Sequence, residues 1–159
     1  PVIFLEHKGL YRQGYAATKE SDIDSLSEIG KGAIVNKGSD VTIVTWGAMV
    51  QKSIEAANMC EASVEIIDLK YLYPLDFDLV ASSISKTNRV IVVHEDNLNN
   101  GFGAEIVARI TDVCFEDLDA PIKRVASKDY PIAYSSVLEN EILVQTDWII
   151  NAIMEVLKY

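Results

Sequence analysis

Two histidines and two glycines are the residues of this 159-residue chain whose types and spacing could support chemistry. His7 and His94 are the only histidines, and each stands next to a glutamate, in LEHK and in VHED. A histidine and a carboxylate at the end of a strand can serve as an acid–base pair. Neighbouring strand residues point to opposite faces of a sheet, however, so His94 and Glu95 are not required to act together. A structural or interface role is therefore the favoured interpretation of both histidines.

Gly101 and Gly103 lie in the segment GFGAEI, which is similar to part of a dinucleotide-binding fingerprint. The third glycine of that fingerprint is absent, and several residues separate the segment from the preceding apolar run. The favoured interpretation is that the glycines permit close packing at a helix start, whose free amides could still hold an anion. The sequence has no GxSxG, no GxxxxGK and no histidine-rich metal spacing, so it assembles no complete catalytic centre.

The run that carries His94 is expected to be a strand in the middle of a sheet. Residues 89–93 have β-branched side chains on both faces, which is typical of parallel strands between two layers of helices. Alternating runs of strand and helix period predict a three-layer α/β/α domain with a mostly parallel five-stranded sheet and one antiparallel strand. The strands are expected at 33–36, 41–46, 64–69, 89–93 and 122–126, and the helices at 48–59, 77–86, 104–116 and 146–158. The turn NKGSD at 36–40 predicts that the first two strands form the antiparallel pair.

Composition divides the chain into three parts. Residues 1–12, PVIFLEHKGLYR, are expected to form a strand with no earlier strand to pair with. Residues 13–32 are rich in Ser, Asp, Glu and Gly, which is typical of a linker. Residues 33–159 hold the alternating pattern. A chain of 159 residues that is 49% hydrophobic can bury one sizeable core but not a second full domain.

Charge and cysteine content exclude several classes of protein. The formal charge of −10 and the pI near 4.6 argue against nucleic-acid binding, which needs clustered Lys and Arg, and favour partners with basic patches. Cys60 and Cys114 form no CxxC, so a thiol redox motif and a zinc ribbon are excluded and reducing conditions are expected. No apolar run reaches the roughly 20 residues that span a bilayer, and no leader opens the sequence. A soluble protein is therefore expected.

The helix expected at 146–158 has an unusually wide apolar side. Trp148, Ile150 and Met154 belong to an apolar arc that covers roughly two-thirds of the circumference at about 100° per residue. The helix could lie in a deep groove of its own domain, or it could bury one flank against another subunit. The residues alone leave both possibilities open.

Five segments together resemble the beta subunit of the thiamine diphosphate-dependent decarboxylating component of 2-oxo-acid dehydrogenase complexes. They are PVIFLEHKGLYR, GSDVTIVTWGAMV, VEIIDLKYLYPLD, RVIVVHEDNLNNGFGAEI and DLDAPIKRVASKDYPIAYSSVLE, and they follow one another over nearly the whole chain. The family includes pyruvate and branched-chain 2-oxo-acid dehydrogenases. The segment LEHKGLYR is somewhat more similar to the branched-chain side.

The resemblance implies that residues 33–159 are a transketolase C-terminal-like domain and that residues 1–12 are the tail of a preceding pyrimidine-binding domain. The parent enzyme would decarboxylate a 2-oxo acid with thiamine diphosphate and magnesium and pass the acyl group to a lipoyl arm. In this family the activating glutamate lies in the preceding domain, and the alpha portion holds the diphosphate and the magnesium. No cofactor is therefore expected on this chain, which would serve assembly with an alpha subunit and a second beta subunit, in a bacterial cytoplasm or a mitochondrial matrix.

The resemblance also implies interface residues. The family uses the DxP loop, here Asp129, Tyr130 and Pro131, and the end of the chain, here Lys158 and Tyr159, near the docking site for the basic subunit-binding domain of the acyltransferase. The segment HEDNLNNGFGAE departs from the family's HEAP and glycine pair, so a subunit contact by this loop does not carry over directly. The replaced positions are Asp96, Asn97 and Asn100. The remaining interface candidates are His94, Glu95, Gly101, Phe102, Trp148, Ile150 and Met154.

Two other classes of protein stay open. A transketolase or a deoxyxylulose-phosphate synthase shares the domain and would show a phosphosugar-binding cluster of Arg and His, whereas Arg89, Arg109 and Arg124 are scattered along the sequence. A free-standing interaction module would be favoured if the natural gene began near Pro1. The strand expected at 1–12, with no partner of its own, speaks against that second alternative.

Overall fold

A five-stranded sheet with helices on both faces forms the centre of the computed structural model, which describes residues 3, 5–17, 19, 22, 24 and 26–159. The strands are β1 (Ala33–Asn36), β2 (Val41–Thr45), β3 (Val64–Asp68), β4 (Val90–Asn97) and β5 (Lys123–Ser127). The helices are α1 (Ala48–Asn58), α2 (Phe77–Thr87), α3 (Gly103–Cys114), α4 (Ser136–Ile142) and α5 (Thr146–Val156). Short 3-10 helices occupy Lys8–Arg12, Gly14–Ala16 and Phe115–Asp117. Within the described part of the chain, no helix is long and apolar enough to cross a membrane.

The order of strands in the sheet is β1-β3-β2-β4-β5. β2 pairs in parallel with both β3 and β4, β4 pairs in parallel with β5, and β1 is antiparallel to β3. The predicted fold, a mostly parallel five-stranded sheet with one antiparallel strand between helices, is confirmed. The chain leaves β2 for β3 on one side and returns to β4 on the other. The carboxyl ends of β2 and β4 therefore form the reversal point at which open α/β sheets most often bind ligands.

The alternation of side chains along β4 explains the two layers of helices. Ile91 and Val93 face the core formed with α1 and α5, while Val90 and Val92 face the core formed with α2 and α3. All four side chains are fully buried. Each such side chain contributes about 1.5–3 kcal/mol on burial, so a strand that is apolar on both faces is stable only between two helix layers.

The predicted hairpin between the first two strands is wrong. β3 lies between β1 and β2, because the intervening turn crosses the start of β3 and bonds to it. The amides of Ser39 and Asp40 both donate to the carbonyl oxygen of Ser63, at 3.0 and 2.8 Å. A side chain at Gly38 would overlap the backbone of Val64, so only glycine permits this crossing.

The strand predicted at residues 1–12 is also wrong over its second half. Lys8–Arg12 is a 3-10 helix, in which the amide of Leu10 donates to the carbonyl oxygen of His7 at 3.0 Å. These local bonds satisfy the backbone without a neighbouring strand. Pro1, Val2 and Phe4 of the predicted strand, and Thr18, Glu20, Ser21, Ile23 and Ser25 of the predicted linker, lie outside the described residues. The division into residues 1–12, 13–32 and 33–159 stays a prediction.

A buried carboxylate in β3 organises a polar network beneath α2. Glu65 accepts a hydrogen bond of 2.5 Å from the Ser83 hydroxyl and pairs with the ammonium group of Lys86. The Thr42 hydroxyl lies 2.7 Å from that of Ser83. Burial alone would raise the pKa of Glu65, but the bonds from Lys86, Ser83 and the Gly38 amide outweigh it and hold the pKa below its ordinary value.

We expect Glu65→Gln to lower the free energy of unfolding at pH 7 by about 1–3 kcal/mol, because the Lys86 and Ser83 bonds lose their charged acceptor. The lowered pKa means that this stabilisation is present above the unfolded-state pKa, near ~4.3, and is lost as the pH falls through the folded-state pKa. The difference in the free energy of unfolding between the wild-type protein and Glu65→Gln should therefore be smaller at pH 4 than at pH 7. Urea unfolding at pH 7 and pH 4 measures it, with the exposed Glu61→Gln as control. An equal loss of unfolding free energy in Glu65→Gln and Glu61→Gln would contradict the stabilising role of the network.

Candidate functional site

The carboxyl ends of β2 and β4 bring three aromatic rings together. The imidazole of His94 stacks on the indole of Trp46 with ring centroids 5.6 Å apart and planes 2° apart. Phe102, at the start of α3, meets the same indole edge-on at 6.3 Å. His94 is fully buried, so its ring fills the space between β4 and α3.

Gly101 and Gly103 make room for that ring. A Cβ atom at Gly103 would overlap the His94 ring atoms Cδ2 and Nε2, and one at Gly101 would lie 2.7 Å from the ring atom Cε1. The Gly101 position would also overlap the carbonyl oxygen of Asn97. The spacing of histidine and glycines is therefore a packing requirement, as the sequence interpretation favoured.

The surroundings of His94 favour its uncharged form on balance. Burial lowers the pKa of the imidazole because it penalises the charged form; the carboxylate of Asp96 opposes this shift and Arg124 adds to it. Among the described residues, neither ring nitrogen has a hydrogen-bond partner. A ring that is fully buried within the described part of the chain does not reach a substrate at the surface. This geometry suits a structural role.

Glu95, the next residue, points away from His94 and into solvent. Its carboxylate oxygen lies 3.1 Å from Nε2 of His7, and both side chains are partly exposed. The contact fastens the N-terminal segment to the end of β4. No local pattern in the sequence signals it, because 88 positions separate the two residues.

The loop between β4 and α3 is hydrogen-bonded to the segment that follows the carboxyl end of β5. The backbone amide and the side-chain amide of Asn99 both donate to the carboxylate of Asp129, at 2.9 and 2.7 Å. Arg124 donates to the carbonyl oxygen of Leu98 at 2.7 Å. Asn100 adopts a left-handed conformation with φ of 60°, which asparagine tolerates better than most residues. The segment that departs from the family pattern thus forms one surface with the DxP loop.

The terminal helix uses most of its apolar arc inside the domain. Ile149 and Ile153 are fully buried between α1 and the sheet, and Trp148 and Ile150 are partly buried beside them. Met154 remains 54% exposed. The deep-groove interpretation therefore accounts for most of the arc, and a subunit contact at Met154 stays a prediction.

The two predicted parts of the docking site lie at opposite ends of β5. Asp129 and Pro131 are exposed beyond its carboxyl end, whereas Tyr159 lies beside Pro121, before its amino end. Strand geometry puts these ends about 20 Å apart. Within one chain they cannot touch the same small feature of a partner.

A groove of about 700 Å³ lies at the Tyr159 end, between the last turn of α3 and the start of β5. Its walls are apolar, with Phe115 69% exposed, and Glu116 and Asp119 line it as well. An apolar groove with acidic residues fits a basic partner segment that carries an apolar anchor.

The twelve interface candidates differ in their access to a partner. His94 and Gly101 are buried and have no surface to offer; Phe102, Trp148 and Ile150 are partly buried. Seven side chains are available to a partner. They are Glu95, Asp129, Tyr130, Pro131, Met154, Lys158 and Tyr159.

The missing side chains of Gly101 and Gly103 leave no open space at the start of α3. The His94 ring and the Asn97 carbonyl oxygen fill the positions that Cβ atoms would take there. In the part of the chain that the structure describes, no three His, Cys, Asp or Glu side chains converge as metal ligands.

Sequence reasoning named Asp129, Tyr130 and Pro131 but missed the rest of the exposed segment that contains them. This segment runs from Lys128 to Ile142, contains α4 and is called here the 128–142 loop. α4 buries none of its residues. The apolar residues of this loop follow neither a strand nor a helix period, so the pattern gave no element to place. The signal that the sequence offered was the number of large apolar residues in this short, otherwise polar stretch.

Comparison with known proteins gives a consistent set of relatives. The family described as "Transketolase, C-terminal domain" matches residues 30–149. The pyruvate dehydrogenase E1 component subunit beta of Staphylococcus aureus is 38% identical over 100% of this chain and 49% of its own length. The mitochondrial protein of that name from Dictyostelium discoideum is 38% identical over 96% of this chain and 44% of its own length. The protein of that name from Cyanidium caldarium is 36% identical over 100% of this chain.

Among solved structures, a split-gene transketolase described as an inactive beta4 tetramer superposes with a TM-score of 0.68. It is 26% identical and covers 85% of this chain and 44% of the other. These matches confirm the resemblance drawn from the five segments. The chain spans a little less than half of the length of each of these relatives.

We expect Gly103→Ala to lower the free energy of unfolding by about 1–3 kcal/mol, because the new methyl group would overlap the His94 ring. Removing the ring should relieve the clash, so Gly103→Ala should cost less in a His94→Ala background, with a coupling of about 0.5–3 kcal/mol. Gly14→Ala is the matched control, since a Cβ there has no neighbour within 4 Å among the described atoms. Urea unfolding measures all four variants. Additive losses at Gly103 and His94 would contradict the packing argument.

Proposed function

Because the chain belongs to the transketolase C-terminal domain family, we propose that it is the C-terminal domain of the beta part of a 2-oxo-acid dehydrogenase decarboxylating component. One observation carries this proposal. Identity of 36–38% to proteins named pyruvate dehydrogenase E1 component subunit beta extends over nearly all of the chain in three unrelated organisms. The resemblance of the fold alone would not select this activity, because one fold serves many functions.

We propose that these residues contribute assembly surfaces rather than reacting groups. The histidine at the carboxyl edge of the sheet is buried, its burial lowers the pKa of the imidazole, and the glycines beside it are covered. The exposed features are protein-sized surfaces: the acidic groove at Tyr159 and the 128–142 loop. An alpha subunit and a second beta subunit are the partners we propose, together with residues 1–12 as the tail of a preceding domain.

Thiamine diphosphate and magnesium belong, in this proposal, to other parts of the assembled enzyme. The space beside Gly101 and Gly103 is filled by the His94 ring and the Asn97 carbonyl oxygen, which supports that assignment. The parent enzyme would release carbon dioxide from the 2-oxo acid and transfer the acyl group to a lipoyl arm.

The acidic groove is the better of the two candidate docking sites for the acyltransferase. It combines apolar walls with Glu116 and Asp119, and its basic partner would find both an anchor pocket and opposite charge. Asp129, in contrast, already accepts two hydrogen bonds from Asn99. We therefore place the basic subunit-binding domain at the groove and assign Asp129 to the internal support of its loop.

The full-length protein, combined with its alpha subunit, thiamine diphosphate and magnesium, should oxidise pyruvate with an artificial electron acceptor. We expect kcat/KM for pyruvate to exceed that for 3-methyl-2-oxobutanoate by at least about tenfold, a difference of ~1.4 kcal/mol. The reverse preference would assign the branched-chain activity that LEHKGLYR suggests. Ketol transfer between sugar phosphates, without turnover of any 2-oxo acid, would contradict the proposal and favour a transketolase.

Glu116→Lys should weaken binding of the isolated subunit-binding domain of the acyltransferase by at least about tenfold, since it places a cation in the groove that receives a basic partner. Electron-acceptor reduction with pyruvate should stay unchanged, because the groove is not part of the reacting centre. Titration calorimetry at two salt concentrations measures the affinity, with the exposed Glu61→Lys as control. If Glu116→Lys bound the subunit-binding domain normally and Asp129→Lys lost binding, the docking site would be the DxP loop and not the groove.

A further inference from the structure

The slot that holds the His94 ring offers no hydrogen bond to a charged imidazole. The ring is fully buried, and among the described residues neither Nδ1 nor Nε2 has a hydrogen-bond partner. Its atoms lie where Cβ atoms at positions 101 and 103 would stand, so the ring contacts the backbone at the start of α3 directly. A proton on the ring would create a buried charge without a bonded partner, which a protein interior tolerates poorly.

The charges around the slot act on the ring in both directions. Asp96 on β4 favours a protonated ring, whereas Arg124 on β5 disfavours it. The Asp96 side chain is exposed, so solvent and salt screen its attraction. β2 contributes the uncharged indole of Trp46, and α3 directs the positive end of its dipole at the ring, while Glu105 in its first turn is exposed. Taken together, these surroundings oppose the imidazolium form.

The segment 95–100 is the part of this junction that can give way. All of its residues are exposed, and the pairing of β4 with β5 is irregular between Val93 and Asn97. A few hydrogen bonds fasten the segment to the strand beside it, among them the bond of 3.0 Å from the Leu98 amide to the carbonyl oxygen of Ser127. The part of β4 up to Val93 is paired on both sides and does not depend on these bonds. A few such bonds contribute less to stability than the burial of an unpaired charge costs.

We infer that His94 is a proton-sensitive latch: when its ring takes up a proton from solvent, the ring leaves the slot and releases residues 95–102 with the first turn of α3, while the paired strands stay in place. The release also separates Asn99 from Asp129, whose carboxylate accepts two hydrogen bonds from it in the closed form. Acid thereby uncovers a carboxylate at the DxP loop. The inference depends on the packing of this chain alone and does not rest on the proposed function.

The pH at which the latch opens follows from the two environments of the ring. Burial lowers the pKa of His94 in the closed form, whereas a ring released into solvent has an ordinary pKa of about 6.5. The closed form is therefore most stable above that pH, and its stability falls as the pH drops below it towards the pKa of the closed form. Because the closed ring stays neutral over this range, the equilibrium constant for opening should rise about tenfold between pH 7.5 and pH 5.5.

Hydrogen–deuterium exchange of the full-length protein, read by mass spectrometry at both pH values, measures this opening. After correction for the chemical exchange rate at each pH, the amides of Leu98, Ala104 and Ile106 should exchange about tenfold faster at pH 5.5. All three are hydrogen-bonded in the closed form. The amides of Thr42 and Asp119, which are bonded at the opposite edge of the sheet, should show no such gain.

Four variants identify the group that takes up the proton. His94→Phe keeps a ring in the slot and His94→Gln places a smaller neutral side chain there, so neither should show the acid-dependent gain, whatever its exchange rate at pH 7.5. His7→Asn removes the other histidine of the chain, which contacts Glu95 beside the latch at 3.1 Å, and should retain the gain. Asp96→Asn removes the neighbouring carboxylate and should retain it as well.

Every other result overturns the inference. Exchange that does not change with pH in the wild-type protein would mean that the closed junction resists protonation without opening. A gain that persists in both His94 variants, or that disappears in His7→Asn or Asp96→Asn, would assign the proton to another group. An equal gain at Thr42 and Asp119 would mean that acid loosens the whole domain and not the latch.

Discussion

The fit of an uncharged ring between two glycines holds the carboxyl edge of this sheet together. His94 occupies the space that side chains at positions 101 and 103 would need, and Trp46 closes it from the other side. Because the ring is buried without a hydrogen-bond partner among the described residues, it is tolerated only in its neutral form. The position of α3, and of the loop that leads to it, follows from this contact. The elements that carry exposed surfaces are therefore attached to this junction, in which His94 packs against Trp46, Gly101 and Gly103.

That junction separates two kinds of surface at the two ends of β5. At the carboxyl end of β5, Asp129 and Lys128 support the 128–142 loop. At its amino end, the acidic groove lies between β5 and the end of α3. Both surfaces combine apolar side chains with acidic neighbours, in keeping with the formal charge of −10. Because they lie at opposite ends of the strand, the two surfaces do not overlap within one chain.

The sequence predicted the core better than the periphery, for physical reasons. Strands buried on both faces, such as β4, carry apolar residues whose meaning does not depend on distant context. The pairing of β1 does depend on context: the NKGSD turn is a sound local signal, but its amides bond to Ser63, and only the tertiary fold brings that residue there. The contact between His7 and Glu95 is equally distant in sequence. The glycines flanking His94 were correctly attributed to close packing, since GFG without a third glycine has few other uses. Apart from Asp129, Tyr130 and Pro131, which the family resemblance indicated, the 128–142 loop was not predicted, because its side chains pack in no internal core and periodicity detects only internal cores.

The position of β1 at the edge of the sheet imposes an order on assembly during synthesis. β1 precedes β2 along the chain, yet among the described strands it pairs with β3 alone. Until the ribosome has released Val64–Asp68, residues 33–36 lack the strand with which they form a ladder, whereas β2 and β3 can pair as soon as α1 has packed. The strand made first is consequently the one that must wait. The loop-closure entropy of the 27 residues between β1 and β3, about 3 kcal/mol, is offset only when that late pairing occurs.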